Sequence, residues 1–122
     1  MPRKSSNSVR IYYPEFSRSE LIERIKRKVA SLCEKLPIRA VILFGSYAKG
    51  RYTAASDVDL LIIYEDPKME DAYHICWDEL SIHQLQLHIY TLSEFKKLEA
   101  SGSLLPKEVR RNGIVIWKSK EI

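Results

Sequence analysis

The chain is poor in cysteine and glycine and has no long apolar stretch, and each shortage removes a class of protein. Its two cysteines, Cys33 and Cys76, are too few and too far apart for a disulfide framework or a zinc ribbon. Both are expected as reduced, buried thiols. Four glycines and five prolines are fewer than collagen-like or low-complexity chains need. No apolar run exceeds the five residues Leu60 to Tyr64, roughly a quarter of a bilayer span. The N-terminal charges Arg3, Lys4 and Arg10 have no apolar segment behind them to form a secretory signal. A cytoplasmic protein without a membrane span is expected.

What remains is ordinary globular material. The 122 residues, 45% hydrophobic and 30% charged, suffice for one domain that buries roughly two thirds of its unfolded surface. The net charge of +4 is unevenly placed: residues 1–30 hold eight Lys/Arg against three Glu, or +5, and the rest of the chain is at −1. Residues 1–17 read as a basic extension, in which Val9, Ile11 and Tyr13 alternate as in a short edge strand, and residues 18–122 as the domain. So small a basic excess is a weak pointer to nucleic acid and serves solubility equally well. Between Asp57 and Glu79 eight carboxylates face one lysine, Lys68; acidity gathered in this way suits cations or a polar surface.

The pattern of apolar residues predicts an α/β (α+β) domain. Leu21, Ile25, Val29, Leu32 and Leu36 recur at helical spacing behind a cap at Ser19 and before Pro37. Arg39 to Phe44 and Asp57 to Tyr64 are near-continuously apolar, as strands covered on both faces are. A polar loop from Lys49 to Ser56 joins them. A helix follows from about Glu70 to Leu80, then a strictly alternating strand, Leu85 to Tyr90, with Leu85, Leu87 and Ile89 toward a core and Gln86, His88 and Tyr90 away from it. Ser93 caps a short helix broken at Gly102, Pro106 to Arg111 forms a turn, and Gly113 to Trp117 is a last strand. The order predicts a small mixed sheet of three or four strands with helices packed mainly on one face.

The chemistry concentrates in Phe44-Gly45-Ser46-Tyr47-Ala48-Lys49-Gly50-Arg51 and Ser56-Asp57-Val58-Asp59. A strand that ends in Gly-Ser lets backbone N–H groups approach a phosphate. Ten residues later, Asp57 and Asp59 stand at i and i+2, on one face of a strand, where both can reach the same divalent ions. Mg2+ takes few carboxylates and completes its shell with substrate phosphate oxygens. Lys49 and Arg51 can steer a triphosphate, and Tyr47 and Tyr52 can stack on a base or cover the loop. Gly45 and Gly50 are spaced as in a P-loop, but Arg51 and Tyr52 stand where Lys and Ser/Thr belong, and no dinucleotide fingerprint exists. His74, Cys76, His83 and His88 match no zinc spacing.

The pattern G-S-x10-D-x-D, with Ala48, Gly50 and Ser56 in place, resembles the minimal nucleotidyltransferases of the DNA polymerase β-like superfamily. Tyr90-Thr91-x-x-Glu94-Phe95 and Arg111-Asn112-Gly113-Ile114 resemble the family's C-terminal part, so the likeness spans most of residues 20–117. It implies the polymerase β-like nucleotidyltransferase fold and transfer of a nucleoside monophosphate, AMP from ATP in the first instance, to a hydroxyl of a protein or RNA. It implies two Mg2+ ions on Asp57 and Asp59 and the triphosphate on Gly45 and Ser46. It also implies a partner, since members of this size are often antitoxins of all-helical HEPN ribonucleases and some AMPylate a toxin tyrosine. Self-association is neither demanded nor excluded.

One departure stands out. The family's usual third carboxylate aligns with Gln86, whose amide can ligate a metal weakly but cannot act as a base near neutral pH. His88, two residues on and on the same face, is the substitute, with Asp78 and Glu79 as more remote candidates. Two readings of the site therefore stay open: a transferase, or a catalytically impaired module that keeps the nucleotide and partner sites. For docking, the sequence offers Leu98, Leu104, Leu105, Ile114, Ile116, Trp117 and the outer face of the Gln86 strand.

Overall fold

The computed structural model describes residues 17–53 and 56–119. The expected edge strand at Val9, Ile11 and Tyr13, with the rest of the basic extension before Ser17, lies outside the described residues. The elements are α1 (Arg18–Lys35), β1 (Ile38–Phe44), α2 (Ser46–Lys49), β2 (Val58–Tyr64), α3 (Ala72–Leu80), β3 (Leu85–Thr91), α4 (Leu92–Ala100), α5 (Leu104–Asn112) and β4 (Ile114–Lys118). They build a four-stranded mixed sheet of order β3-β2-β1-β4. β1 is antiparallel to both neighbours, and β2 and β3 run parallel.

Helix starts follow reciprocal capping rather than the mere presence of a serine. Ser17, not Ser19, caps α1: its Oγ accepts from the Glu20 N–H at 3.2 Å, and Glu20 Oε1 accepts from the Ser17 N–H at 2.9 Å. Three residues beyond Ser19 stands Ile22, which cannot return the bond. α4 repeats the arrangement, with Thr91, not Ser93, as the cap of Glu94. Ser93 lies one residue inside, where its N–H and Oγ donate to Asp66 at 3.2 and 2.5 Å. The loop expected from Lys49 begins later, because residues 46–49 form the single turn α2. The turn expected at Pro106 is helix α5; proline is tolerated there because first-turn N–H groups have no intrahelical acceptor to lose.

The near-continuous apolar runs of β1 and β2 mean what they suggested, burial on two faces. The larger helical layer, α1 and α3, covers one face, where Leu21, Ile25, Val29, Leu32, Cys76 and Leu80 meet Val41, Leu43, Leu60, Ile62 and Tyr64. On the opposite face a smaller cluster joins Ala40, Phe44, Leu61 and Ile63 to Phe95 of α4 and Val109 of α5. Cys76 is fully buried, and that burial pushes its thiol up to about 12; Cys33 is half-buried and shifted the same way. Several expected docking residues prove to be core: Ile116 is buried, Ile114 and Trp117 pack against the larger cluster, and Leu98 and Leu105 against the smaller. Leu104 alone of that set stands out in solvent. Among the described residues no helix is long and apolar enough to cross a membrane.

Thr91 is buried and Glu94 is held below its ordinary carboxylate range by the backbone bond from Thr91. Thr91→Ala is expected to cost about 1 kcal/mol in urea unfolding at neutral pH. A depressed carboxylate stabilises the fold above its unfolded pKa and loses that contribution as pH falls through the folded one. The advantage of wild type over Glu94→Gln, measured in the same assay, should therefore shrink below pH ~4, because the Thr91 N–H that holds the carboxylate down belongs to the backbone.

Candidate active site

The site grows from the register of three strands. β1 and β2 pair so that Phe44 lies opposite Asp59, and β2 and β3 pair so that Asp59 lies opposite Gln86. Asp59 therefore occupies the middle of a three-strand row at one end of the sheet, on the face shared with Leu61, Ile63 and α5. Asp57 precedes β2 and is exposed, while Asp59 is half-buried. At this end the chain leaves β1 through Gly45, whose φ of 77° and ψ of −150° suit glycine almost alone. Position 45 also has no space for a side chain, because a β-carbon there would stand 2.2 Å from Asp59 Oδ2. The glycine thus serves the carboxylate as well as the turn.

Ser46 opens α2, and Lys49 closes it beside Gly50 and Arg51. This short turn is fastened from behind. Arg18 Nη1 donates to the carbonyls of Tyr47 and Ala48 at 3.4 and 3.0 Å, and the Arg18 N–H donates to Tyr52 Oη at 3.0 Å. Tyr47 is buried and its ring stacks on Tyr52 at 4.3 Å, so the two tyrosines cover and brace the loop instead of presenting a free platform for a base.

Electrostatics single out Asp59. Burial lifts its carboxyl above the usual range and the charges of Asp57 and Glu108 push the same way, while His88 opposes them. His88 Nε2 lies 3.7 Å from Asp59 Oδ1, and its ring stands edge-on to Phe44 at 5.1 Å. Of the two third-position candidates, Gln86 is exposed in the register position beside Asp59, and His88 brings a ring nitrogen toward its carboxylate. Asp78 and Glu79 are on α3, on the other side of the sheet, with Asp78 paired to His74 at 3.2 Å and Glu79 to Lys35 at 2.6 Å. Glu108 was missed in the sequence; it accepts from Lys49 and Asn112, each at 3.3 Å. The one available signal was its position a helical turn before Asn112 in the Arg111-Asn112-Gly113 stretch.

Among the described residues no three His, Cys, Asp or Glu side chains gather as a metal-binding group. A closed zinc-type cage is not what this site offers. Two carboxylates at i and i+2, one of them desolvated against other negative charges, fit an ion that takes its remaining ligands from a substrate's phosphates. A bound cation would offset the burial, and the lesser repulsion from Asp57 and Glu108, that raise Asp59.

The profile of the nucleotidyltransferase domain matches residues 19–116. The chain belongs to the nucleotidyltransferase domain family. Among curated relatives are two candidate protein adenylyltransferases of Methanocaldococcus jannaschii, 39% identical over 49 residues and 43% identical over 47. These stretches are 40% and 38% of this chain, which spans about half the length of the relatives, 50% and 46%. Among solved structures, a candidate nucleotidyltransferase from Sulfolobus solfataricus aligns with TM-score 0.57 at 18% identity, covering 86% of each chain. A toxin–antitoxin structure with AMP-PNP aligns with TM-score 0.54 at 20% identity, over 79% of this chain and 75% of the other. A Shewanella oneidensis complex of tri-AMPylated HEPN toxin with MNT antitoxin aligns with TM-score 0.51 at 19% identity, over 82% and 75%. At these identities the likeness establishes the fold, which with its mixed sheet is that of the nucleotidyltransferases.

Two outcomes follow for this turn and strand. Gly102 has a φ of 76°, like Gly45, but open space where its β-carbon would be. Gly102→Ala is expected to lose only the backbone term, about 1–2 kcal/mol, and Gly45→Ala roughly twice that or more because Asp59 must also move. Chemical denaturation of both variants measures the difference. The second outcome concerns Asp59, whose folded pKa lies above its unfolded value, so deprotonation on raising the pH costs the fold stability. Asp59→Asn should melt at a higher temperature than wild type at pH 7, with the gain vanishing below the ordinary carboxylate range.

Proposed function

We propose that this protein is a Mg2+-dependent adenylyltransferase that moves AMP from ATP to a hydroxyl of a protein acceptor. The observation that carries the reading is the strand register: it puts Asp59 against the Gly45-Ser46 turn and within the field of Asp57, in a member of the nucleotidyltransferase family. The names of the M. jannaschii relatives favour ATP and a protein acceptor. Backbone N–H groups at Gly45 and Ser46, with Lys49 and Arg51, would bind the triphosphate; Asp57 and Asp59 would hold two Mg2+ ions. When bound, the metal supplies the positive charge that phosphoryl transfer needs at the reacting oxygens. The acceptor oxygen forms a bond to the α-phosphorus as the bond to pyrophosphate breaks, and His88 takes the hydroxyl proton, because Gln86 cannot.

The site is open on the β3 side, so the acceptor brings its own binding surface. By likeness of fold to chains of toxin–antitoxin complexes, the proposed partner is a small helical HEPN-type protein, and this chain its antitoxin. Gln86, opposite Asp59 in the parallel pair, also favours a second reading, an impaired module that binds nucleotide and partner without transfer.

ATP labelled at the α-phosphate, Mg2+ and a candidate helical acceptor separate these readings. Under the first, label appears on the acceptor, and Asp57→Ala and Asp59→Ala each lower the rate by about 10^3-fold or more, the scale of lost electrostatic stabilisation at a reacting phosphate. His88→Gln should lower it by about 10^2-fold, as expected for a lost proton acceptor. No transfer by wild type but transfer by Gln86→Asp establishes the second. Transfer that survives Asp57→Ala and Asp59→Ala overturns both.

A further inference from the structure

The face that carries Asp59 holds a further carboxylate, Glu108, that the reaction above does not use. Lys49, at the end of α2, reaches across to α5 and its Nζ lies 3.3 Å from Glu108 Oε2. One turn later on α5, Asn112 Nδ2 donates to the same oxygen at 3.3 Å, which aims the carboxylate at the lysine. Beside them opens a shallow cavity of about 350 Å3 lined by Lys49, Arg51 and Asn112, two cations and an amide donor in a space large enough for several phosphate groups. Both members of the pair keep about a third of their side-chain surface in water, 39% for Lys49 and 32% for Glu108. An ion pair so exposed is weak and readily exchanged.

We propose that Glu108 is a positioning residue that acts as a competing anion, a latch that holds Lys49 across α2 and α5 until a triphosphate takes the ammonium from it. The inference rests on the reading of the cavity's neighbourhood as a nucleotide site. Its logic is charge exchange. Before nucleotide binds, Glu108 neutralises Lys49 and holds it beside the cavity. An incoming polyphosphate offers Lys49 and Arg51 charge-assisted bonds that an exposed carboxylate cannot match, and its own charge repels Glu108. The same repulsion acts on the pyrophosphate left behind, so the latch closes again as product departs. Glu108 therefore lowers affinity for both nucleotide and pyrophosphate, the opposite of what a ligand-binding or merely structural side chain does when it is present.

The sign of the effect makes the test sharp. Calorimetric titration with Mg2+ and α,β-methylene-ATP, which cannot release pyrophosphate, is expected to give at least threefold tighter binding for Glu108→Gln than for wild type, and the same direction for pyrophosphate. Glu99→Gln, which removes a carboxylate paired with Arg110 elsewhere on the α4–α5 pair, should change affinity less than twofold and so controls for net charge. In a Lys49→Gln background the effect of Glu108→Gln should fall below twofold. Glu108→Ala also removes the carboxylate and leaves Lys49, Arg51 and Asn112 on the cavity, so it should tighten binding in the same direction, and it provides the reading if Glu108→Gln fails to fold. Unchanged or weaker binding by Glu108→Gln or, in its place, by Glu108→Ala overturns the latch and leaves the nucleotide site standing. Absence of nucleotide binding by the folded wild-type protein overturns both.

Discussion

The carboxylate of Asp59 stands where a β-carbon at position 45 would be, and the rest of the site depends on that close approach. It requires glycine at the end of β1, antiparallel pairing that sets Phe44 opposite Asp59, and a turn that leaves β1 with a backbone conformation other residues rarely adopt. Slipping the register by one residue would send Asp59 to the α1–α3 face and into the larger core. The long apolar strands prevent that slip, because Leu60 and Ile62 are fully buried on one face and Leu61 on the other. Packing at the centre of the sheet thereby fixes polar chemistry at its edge.

Burying part of a carboxylate beside two others runs against the stability of the fold, as the raised pKa of Asp59 records. The opposing contributions come from elsewhere: the fully buried row of α1, the reciprocal caps at Ser17 and Thr91, and the two-sided burial of β1 and β2. A half-buried carboxylate beside like charges suits a cation, and β2 holds Asp59 at the end of the sheet while Asp57 stands exposed just before it. The Arg18 bonds to the carbonyls of α2 serve the same end from the other side, since they hold a four-residue turn that could not persist alone.

The two helical layers divide the labour. α1 and α3 supply most of the core, whereas α4 and α5 cover part of the opposite face and leave its Asp59 end open. That division gives β3 its mixed character: Leu85, Leu87 and Ile89 pack inward, while Gln86 and His88 line the open side. It also moves the candidate contact surface. The C-terminal apolar residues complete the core, and the large hydrophobic side chains left in water among the described residues are Tyr73 and Trp77 of α3, Leu104 and Val115.

Much of this was legible in the residues themselves. Continuous apolar runs determined the two central strands, strict alternation determined the facing of β3, and Gly-Ser followed ten residues later by Asp-x-Asp marked the end of β1 and the start of β2, because such patterns report local geometry and which faces are buried. The caps were misplaced at Ser19 and Ser93 because capping is a reciprocal bond, and only Ser17 and Thr91 have a glutamate three residues ahead. What only the tertiary structure decided is whatever joins residues distant in the chain: that Gly45 is shaped by Asp59, that Tyr47 and Tyr52 spend their faces on each other, that the His88 ring approaches the Asp59 carboxylate, and that Glu108 reaches Lys49 from α5. Side-chain spacing along one strand or helix is dictated by its period, but the register and packing between elements are set by the burial of the whole core.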